Sequence, residues 1–351
     1  MSIARGKGDT QTGNCYFSVA VLLNAITCIL YMILFLNFME PIARFLGATD
    51  VTMPYVLNYA PYVIWGLGFL HSPLSTNLCK NDGAPKLSMI AVVSGGVLNV
   101  VLDIVFVFPC KMGMAGAAIA TVIAQHVSAG YCLFYLYKKR KEFGLVGILT
   151  KPDRDMTVKI FQIGVPTAFQ SCLISIGSMS VQRLINSFGT SVMAGYTAAA
   201  KIDSIAIQVI TSLGSALSVF TSQNIGNRQF KRIREGLHCT LFMSIVSALV
   251  IAATAMLCGQ QLMRLFLGTD QSQDAVTVGA QYLTVMGIAY LICAVMQSYQ
   301  NIIRGAGDAN TCMIAGFTEL AGRITFAYLL APHLGEMGIG LLRHYLGAVD
   351  V

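Results

Sequence analysis

Long apolar runs separated by short polar segments dominate the pattern of the 351-residue chain. A helix needs about 20 apolar residues to cross about 30 Å of hydrocarbon at 1.5 Å per residue. Nine runs reach that length, and none shows the alternation expected of barrel strands. They cover residues 15–38, 53–75, 87–108, 116–137, 160–188, 192–221, 237–258, 277–299 and 313–331. The pattern predicts an all-α polytopic membrane protein with about nine transmembrane helices.

The composition supports a bilayer as the solvent. Hydrophobic residues make up 55% of the chain and charged residues 11%, which is too little polar surface to cover a water-soluble globule. Lysines and arginines concentrate in alternate loops, which the positive-inside rule places in the cytoplasm. Those loops hold Arg5, Lys7, Lys80, Lys86, Lys138, Lys139, Arg140, Lys141, Lys151, Arg154, Arg228, Lys231, Arg232, Arg234 and Arg304, whereas the opposite loops hold little beyond Arg44, Lys111 and Arg264.

Several classes of function are excluded on the sequence. The net charge of +7 reflects topology, because the basic residues lie in separate short loops without interleaved aromatics, so no nucleic-acid partner is expected. The ten cysteines include no C-x-x-C pair and predict neither a disulfide framework nor a metal centre. No H-E-x-x-H, G-x-S-x-G or G-x-x-x-x-G-K motif occurs, so the chain is not expected to be an enzyme or to need a cofactor.

An internal repeat organises the chain. "SIARGKGDTQ" at Ser2 returns loosely as "SQNIGNRQFK" at Ser222, and "RFLGATD" at Arg44 returns as "RLFLGTD" at Arg264. "CKNDGAPKLSMI" and "MGMAG" return as "IRGAGDANTCMI" and "MGIG", and all four offsets are about 220 to 225 residues. Six spans separate equivalent points, an even number, so both halves enter the membrane in the same direction. We therefore predict two parallel six-helix repeats.

The repeat also assigns the lobes. Residues 1–137 should form an N-lobe of helices 3 to 6, with helices 1 and 2 missing. Residues 138–159 should form a basic cytoplasmic linker. Residues 160–351 should form a C-lobe of helices 7 to 11, with helix 12 missing, so the chain is expected to be truncated at both ends.

The motifs resemble those of the multidrug and toxic compound extrusion (MATE) family, especially its bacterial MepA-like branch. The resemblance rests on "ARGKGD", "KNDGAPKLSMI", "GGVLNVVLDIVFVF", "GMAGAAIATVIAQ", "IGVPTAFQ", "TSQNIGN" and "RGAGD". It implies the two-repeat MATE bundle of the MOP superfamily in a bacterial cytoplasmic membrane. It also implies a secondary transporter that exports cationic or amphiphilic drugs by alternating access, in exchange for Na⁺ or H⁺.

One intramembrane acid stands out. Asp103 and Asn99 are four residues apart and share one helix face, which should turn toward the bundle interior. A hard cation there would be bound by the carboxylate, the Asn99 carbonyl and the Thr121 hydroxyl on the next helix. By resemblance, these residues fall on the family's first-half cation or proton site, so the only metal expected is Na⁺ at Asp103. The alternative is a structural aspartate, hydrogen-bonded to a neighbouring helix or hydrated near the outer surface.

Three further polar residues in the second half are candidates for a cavity or gating role. Gln170 follows Pro166 and should face either a cavity or a helix partner. Lys201 and Asp203 are two apart and should point to different faces, with local pairing as the alternative.

Alternatives to the drug exporter stay open at this point. A lipid-linked glycan flippase would share the architecture and would favour an arginine-rich cavity. A membrane-embedded enzyme would need convergent nucleophiles or acids, and the chain itself would be an inactive fragment if its missing helices were essential.

Overall fold

The computed structural model describes residues 1–45, 50, 52–67, 72–81, 84–138, 154–186, 190–267, 273–318, 320–322 and 325. Within that part of the chain, all regular secondary structure is helical. The helices are α1 (Ser2–Gly6), α2 (Thr10–Asn37), α3 (Met39–Phe45), α4 (Met53–Leu67), α5 (Ser72–Asn81), α6 (Pro85–Val107), α7 (Gly113–Lys138), α8 (Arg154–Asn186), α9 (Thr190–Gly226), α10 (Phe230–Leu267) and α11 (Gln273–Ala306).

Seven of the predicted spans correspond to the long helices α2, α6, α7, α8, α9, α10 and α11. The predicted span 53–75 corresponds to α4 and the beginning of α5, and residues 68–71 between them lie outside the described residues. Of the predicted span 313–331, only residues 313–318, 320–322 and 325 are described. Residues 313–318 belong to the helical segment 309–318. By length and apolarity, six described helices are able to cross a membrane, or seven if the bent α11 is one span. The chain is a multi-pass membrane protein, and the count of nine stays a prediction.

The first compact unit, Met1–Val158, is built around α7, which packs against α4, α5 and α6. Close approach of α6 and α7 depends on small residues. The Ser128 hydroxyl donates to the Ala91 carbonyl at 2.8 Å, and a Cβ at Gly95 would overlap the Ser128 Oγ. The α6–α7 turn is tight, since Lys111 and Gly113 both adopt positive φ.

The second compact unit, Lys159–Val351, contains α9, α10 and α11, which pack against one another. Its core includes the fully buried side chains of Ile210, Met263, Leu283, Met286 and Tyr290. A Cβ at residue 195 would overlap the backbone carbonyl oxygen of Ala275, so the start of α9 lies directly against α11. Helix α8 contacts the helical segment 309–318 through Phe169 and Phe317, whose ring centroids are 5.7 Å apart.

The predicted boundaries of lobes and linker stay predictions. Residues 139–153 of the predicted linker lie outside the described residues, and its last six residues already belong to α8.

Large apolar side chains cover the outer faces of the helices. On α2, Ile29, Leu30 and Ile33 each expose more than half of their surface, and on α6 the same holds for Val97 and Val100. Such continuous apolar surface is unfavourable in water and favourable in hydrocarbon. The outer surface therefore fits a bilayer.

Candidate functional site

Two of the three residues predicted for ion coupling contact each other across α6 and α7. The Asn99 amide nitrogen donates to the Thr121 hydroxyl oxygen at 3.3 Å, and that hydroxyl donates to the Ala117 carbonyl at 2.9 Å. Because the pairing uses the amide nitrogen, the Asn99 carbonyl oxygen is left for another partner. The neutral oxygens expected of the site are thus held between the two helices.

Asp103 lies one turn further along α6 and is half-buried. Its Oδ1 atom is buried and accepts no hydrogen bond from any described residue. A buried carboxylate oxygen without a donor is unfavourable while the group is charged, because desolvation is not compensated. A cation bound at Asp103 would supply the partner that Oδ1 lacks among the described residues.

The register of the two helices is fixed by the short turn between them. The Met112 N–H donates to the Phe106 carbonyl at 3.0 Å and closes the turn. A Cβ at Gly116 would lie only 3.0 Å from the Phe106 Cβ. A side chain at residue 116 would therefore force the two helices to move apart. The start of α7 therefore lies against the end of α6, and Thr121 lies beside Asn99 as a result.

In the described residues, no three His, Cys, Asp or Glu side chains converge as a metal-binding group. A cation near Asp103 would have to complete its shell with neutral oxygens, such as those of Asn99 and Thr121.

Gln170 packs against another part of the second unit. It is only 3% exposed, and its side-chain oxygen accepts a hydrogen bond from the Arg304 guanidinium at 2.8 Å. A Cβ at Gly316 would lie 2.7 Å from the Gln170 side chain, so glycine permits this close approach. Of the two environments expected for Gln170, the structure shows the helix partner, and its role in gating stays a prediction.

Lys201 and Asp203 point to opposite faces of α9. Asp203 has 0% exposure and accepts a hydrogen bond from the Tyr290 hydroxyl of α11 at 2.8 Å, whereas Lys201 is exposed. The sequence reasoning missed Tyr290 as the partner, because spacing along one helix does not reveal which residue of another helix faces it. The two residues do not form one site, and their functional roles stay predictions.

A second repeated motif escaped the sequence reasoning. "RGKGD" at Arg5 and "RGAGD" at Arg304 both contain a positive-φ glycine followed by a helix-capping aspartate. The N–H of Thr12 donates to Asp9 at 3.0 Å, and that of Thr311 donates to Asp308 at 3.1 Å. The Thr12 and Thr311 hydroxyl and N–H groups lower the pKa of the Asp9 and Asp308 carboxyls. In both motifs the glycine follows the arginine by three residues and the aspartate follows it by four. This equal spacing is the sequence signal for the motif.

A multi-pass helical bundle that holds an ionisable group inside one of its spans is typical of membrane transporters and channels. The family model described as MatE matches residues 1–105 and 166–329, which is most of the chain. The chain belongs to the MatE family, a family of transporters and not of enzymes.

Relatives within this family carry multidrug resistance names. The chain is 29% identical over 346 residues to the "Probable multidrug resistance protein YpnP" of Bacillus subtilis, a match that covers 97% of this chain and 76% of YpnP. It is 24% identical over 277 residues to the "Multidrug export protein MepA" of Staphylococcus saprophyticus, covering 74% of this chain and 58% of MepA. The chain thus spans about three quarters of the first relative and less than two thirds of the second.

The crystal structure of MATE in complex with MaL6 has the same fold. Its TM-score is 0.91 at 21% identity, over 99% of this chain and 79% of that chain. At this identity the likeness shows the fold.

Proposed function

We propose that the chain is a secondary active multidrug efflux transporter of a bacterial cytoplasmic membrane, which exchanges cationic or amphiphilic drugs for Na⁺ or H⁺. The observation that carries this proposal is the buried Asp103 Oδ1 without a donor, one turn from the Asn99–Thr121 contact. The multidrug names of YpnP and MepA support the substrate class. The family resemblance supports alternating access.

Asp103 is the proposed coupling acid. An uncompensated charge costs about 2.5 to 3.5 kcal/mol at the centre of a membrane helix on insertion scales, and less at the position of Asp103, four residues before the end of α6. Binding of a proton or cation removes much of that cost, so an ion that binds one conformation better shifts the transporter toward it. Release of the ion on the other side of the membrane would then restore the starting state and permit export of a drug.

The test is ion-driven efflux from proteoliposomes, with Asp103→Asn compared with Asp274→Asn at equal protein content. Asp274 is an exposed acid at the beginning of α11 and serves as the matched control. We expect Asp103→Asn to lose at least about tenfold in efflux rate while Asp274→Asn keeps it. Separate Na⁺ and pH gradients identify the coupling ion.

Two outcomes would change this proposal. Equal activity of both variants would make Asp103 a structural residue and remove it from the coupling site. Absence of any gradient-driven efflux from the unaltered chain would contradict the assignment as an exporter.

A further inference from the structure

Helix α9 carries a stripe of exposed polar residues along one face. Lys201, Ser204, Gln208, Ser212 and Ser215 are all exposed. At 100° per residue they lie within about 60° of Lys201 around the helix axis, while Asp203 lies on the opposite side. The stripe therefore runs along the face that points away from Tyr290 and α11.

This stripe is incompatible with a position against lipid tails. Residues 201–215 lie in the middle of the predicted span 192–221, and a lysine at membrane depth faces a water-filled cavity or binds a counter-charge. The Lys201 ammonium forms no hydrogen bond or ion pair with any described residue. The stripe is therefore expected to line an aqueous path in the assembled transporter.

An open groove of about 800 Å³ lies along the same face, between α9 and α10. Its apolar lining includes Ile205, Val209 and Met243, and its polar lining includes Ser204, Gln208 and Ser247. A volume of this order fits a drug-sized molecule. No carboxylate is among the described residues that line the groove.

The residues that line the groove are neutral, so the charge of Lys201 beside it decides which ligand charge is favoured. The hydroxyls of Ser204, Ser212 and Ser247 already donate to backbone carbonyls, at 2.6, 2.7 and 2.8 Å. Lys201 lies one turn from Ser204 and supplies an ammonium, and Gln208 supplies an amide. The nearest acid along α9, Asp203, is buried against Tyr290.

We propose that this groove binds small amphiphiles with an anionic head, with the head at Lys201, one turn before the lining residue Ser204, and the apolar body against Ile205, Val209 and Met243. This inference rests on the proposed export function and narrows its substrate class. The resemblance to the MATE family implies cationic drugs, whereas the only charge that the described structure offers at this face is positive.

The probes for the test are 11-(dansylamino)undecanoate, its uncharged methyl ester and a dansylated long-chain amine of similar length. Binding to the chain in phosphatidylcholine nanodiscs is measured by fluorescence titration, with empty nanodiscs as background. We expect the carboxylate probe to bind more tightly than the other two. Lys201→Gln should weaken its binding by about tenfold, the effect of losing one charge-assisted hydrogen bond, and should leave the ester unchanged.

Three variants serve as controls. Lys201→Arg keeps the charge and should stay within about threefold of the unaltered chain. Lys201→Glu should reverse the preference, so that the amine binds more tightly than the carboxylate. Lys159→Gln, which removes an exposed lysine from α8, should have no effect on any probe.

The proposal would be overturned by tighter binding of the amine by the unaltered chain, or by equal carboxylate binding by Lys201→Gln and the unaltered chain. Competition by phosphatidylglycerol nanodiscs that depends on Lys201 would also overturn it, because the occupant would then be a lipid headgroup. Equilibrium binding is measured without an ion gradient, so its outcome does not depend on whether Asp103 couples transport to an ion. A failure of ion coupling is thus distinguishable from a failure of this inference.

Discussion

A single hydroxyl group joins the two helices that carry the candidate coupling site. Thr121 accepts from Asn99 across the α6–α7 interface, and we expect Thr121→Val to break this contact. The free energy of unfolding should fall by about 0.6 kcal/mol, the average for interhelical hydrogen bonds in a membrane. Ion-driven efflux should fall as well, because Asn99 loses its orientation.

Thr167→Val provides the matched control for this prediction. Thr167 is half-buried, as Thr121 is, and its hydroxyl donates at 2.8 Å to the Ile163 carbonyl four residues earlier, as Thr121 donates to Ala117. Thr167→Val should change neither the free energy of unfolding nor the rate of ion-driven efflux. Unfolding in mixed micelles measures the stability of both variants, and equal losses would mean that the interhelical bond contributes nothing.

Tyr290 is the observed donor to the buried carboxyl of Asp203. Tyr290→Phe removes that donor inside the core of the second unit, and should lower the free energy of unfolding by about 1 to 3 kcal/mol. Tyr299→Phe, on an exposed tyrosine of the same helix, should have little effect. In a double-mutant cycle with Asp203→Asn, the two changes should cost less together than their sum, and strict additivity would contradict the contact.

At the scale of the helix, the adjacent residues Gly95 and Gly96 of α6 have different surroundings. A Cβ at Gly95 would meet the Ser128 hydroxyl and lie 3.1 Å from the Ala124 carbonyl, whereas a Cβ at Gly96 would meet nothing within 4 Å. We expect Gly95→Ala to destabilise the α6–α7 pair by about 1 to 3 kcal/mol through overpacking. Gly96→Ala should be neutral or stabilising by up to about 1 kcal/mol, because alanine favours the helix.

Thermal unfolding of both variants in the same detergent provides this comparison. A similar melting temperature for Gly95→Ala and Gly96→Ala would show that α6 and α7 separate easily at this point. Such a result would also weaken the proposed contact between Asn99 and Thr121, since both contacts belong to the same interface.

The sequence predicts the helices well because each span must satisfy its backbone hydrogen bonds internally. Apolar length alone therefore locates α2 and α6 to α11 within several residues. Spacing also places Lys201 and Asp203 on opposite faces, as the structure shows. Contacts between helices are harder to predict from the sequence. The helical period shows which residues share a face, but it does not show which other helix packs against that face. The Gln170–Arg304 bond joins residues 134 positions apart, and no local pattern indicates it.

The whole molecule has one orientation in the membrane if the asymmetry of its basic loops decides the insertion. The Arg44 guanidinium, on the side with few basic residues, is paired with Glu40 at 3.2 Å and Asp50 at 3.0 Å. A single arginine does little to oppose the many basic residues of the other loops. The α6–α7 turn, with the exposed Cys110, should then lie outside the cell, and the beginning of α10 should lie in the cytoplasm.

Labelling with a membrane-impermeant maleimide tests this orientation in intact cells. In a chain whose other nine cysteines are replaced by alanine, Cys110 should react without permeabilisation. In a chain without native cysteines, Lys231→Cys, at an exposed position in the first turn of α10, should react only after permeabilisation. The reverse pattern would place the basic loops outside, and labelling of both in intact cells would indicate two orientations. Either result would mean that loop charge does not set the direction of insertion, and that the proposed direction of export must be assigned by transport alone.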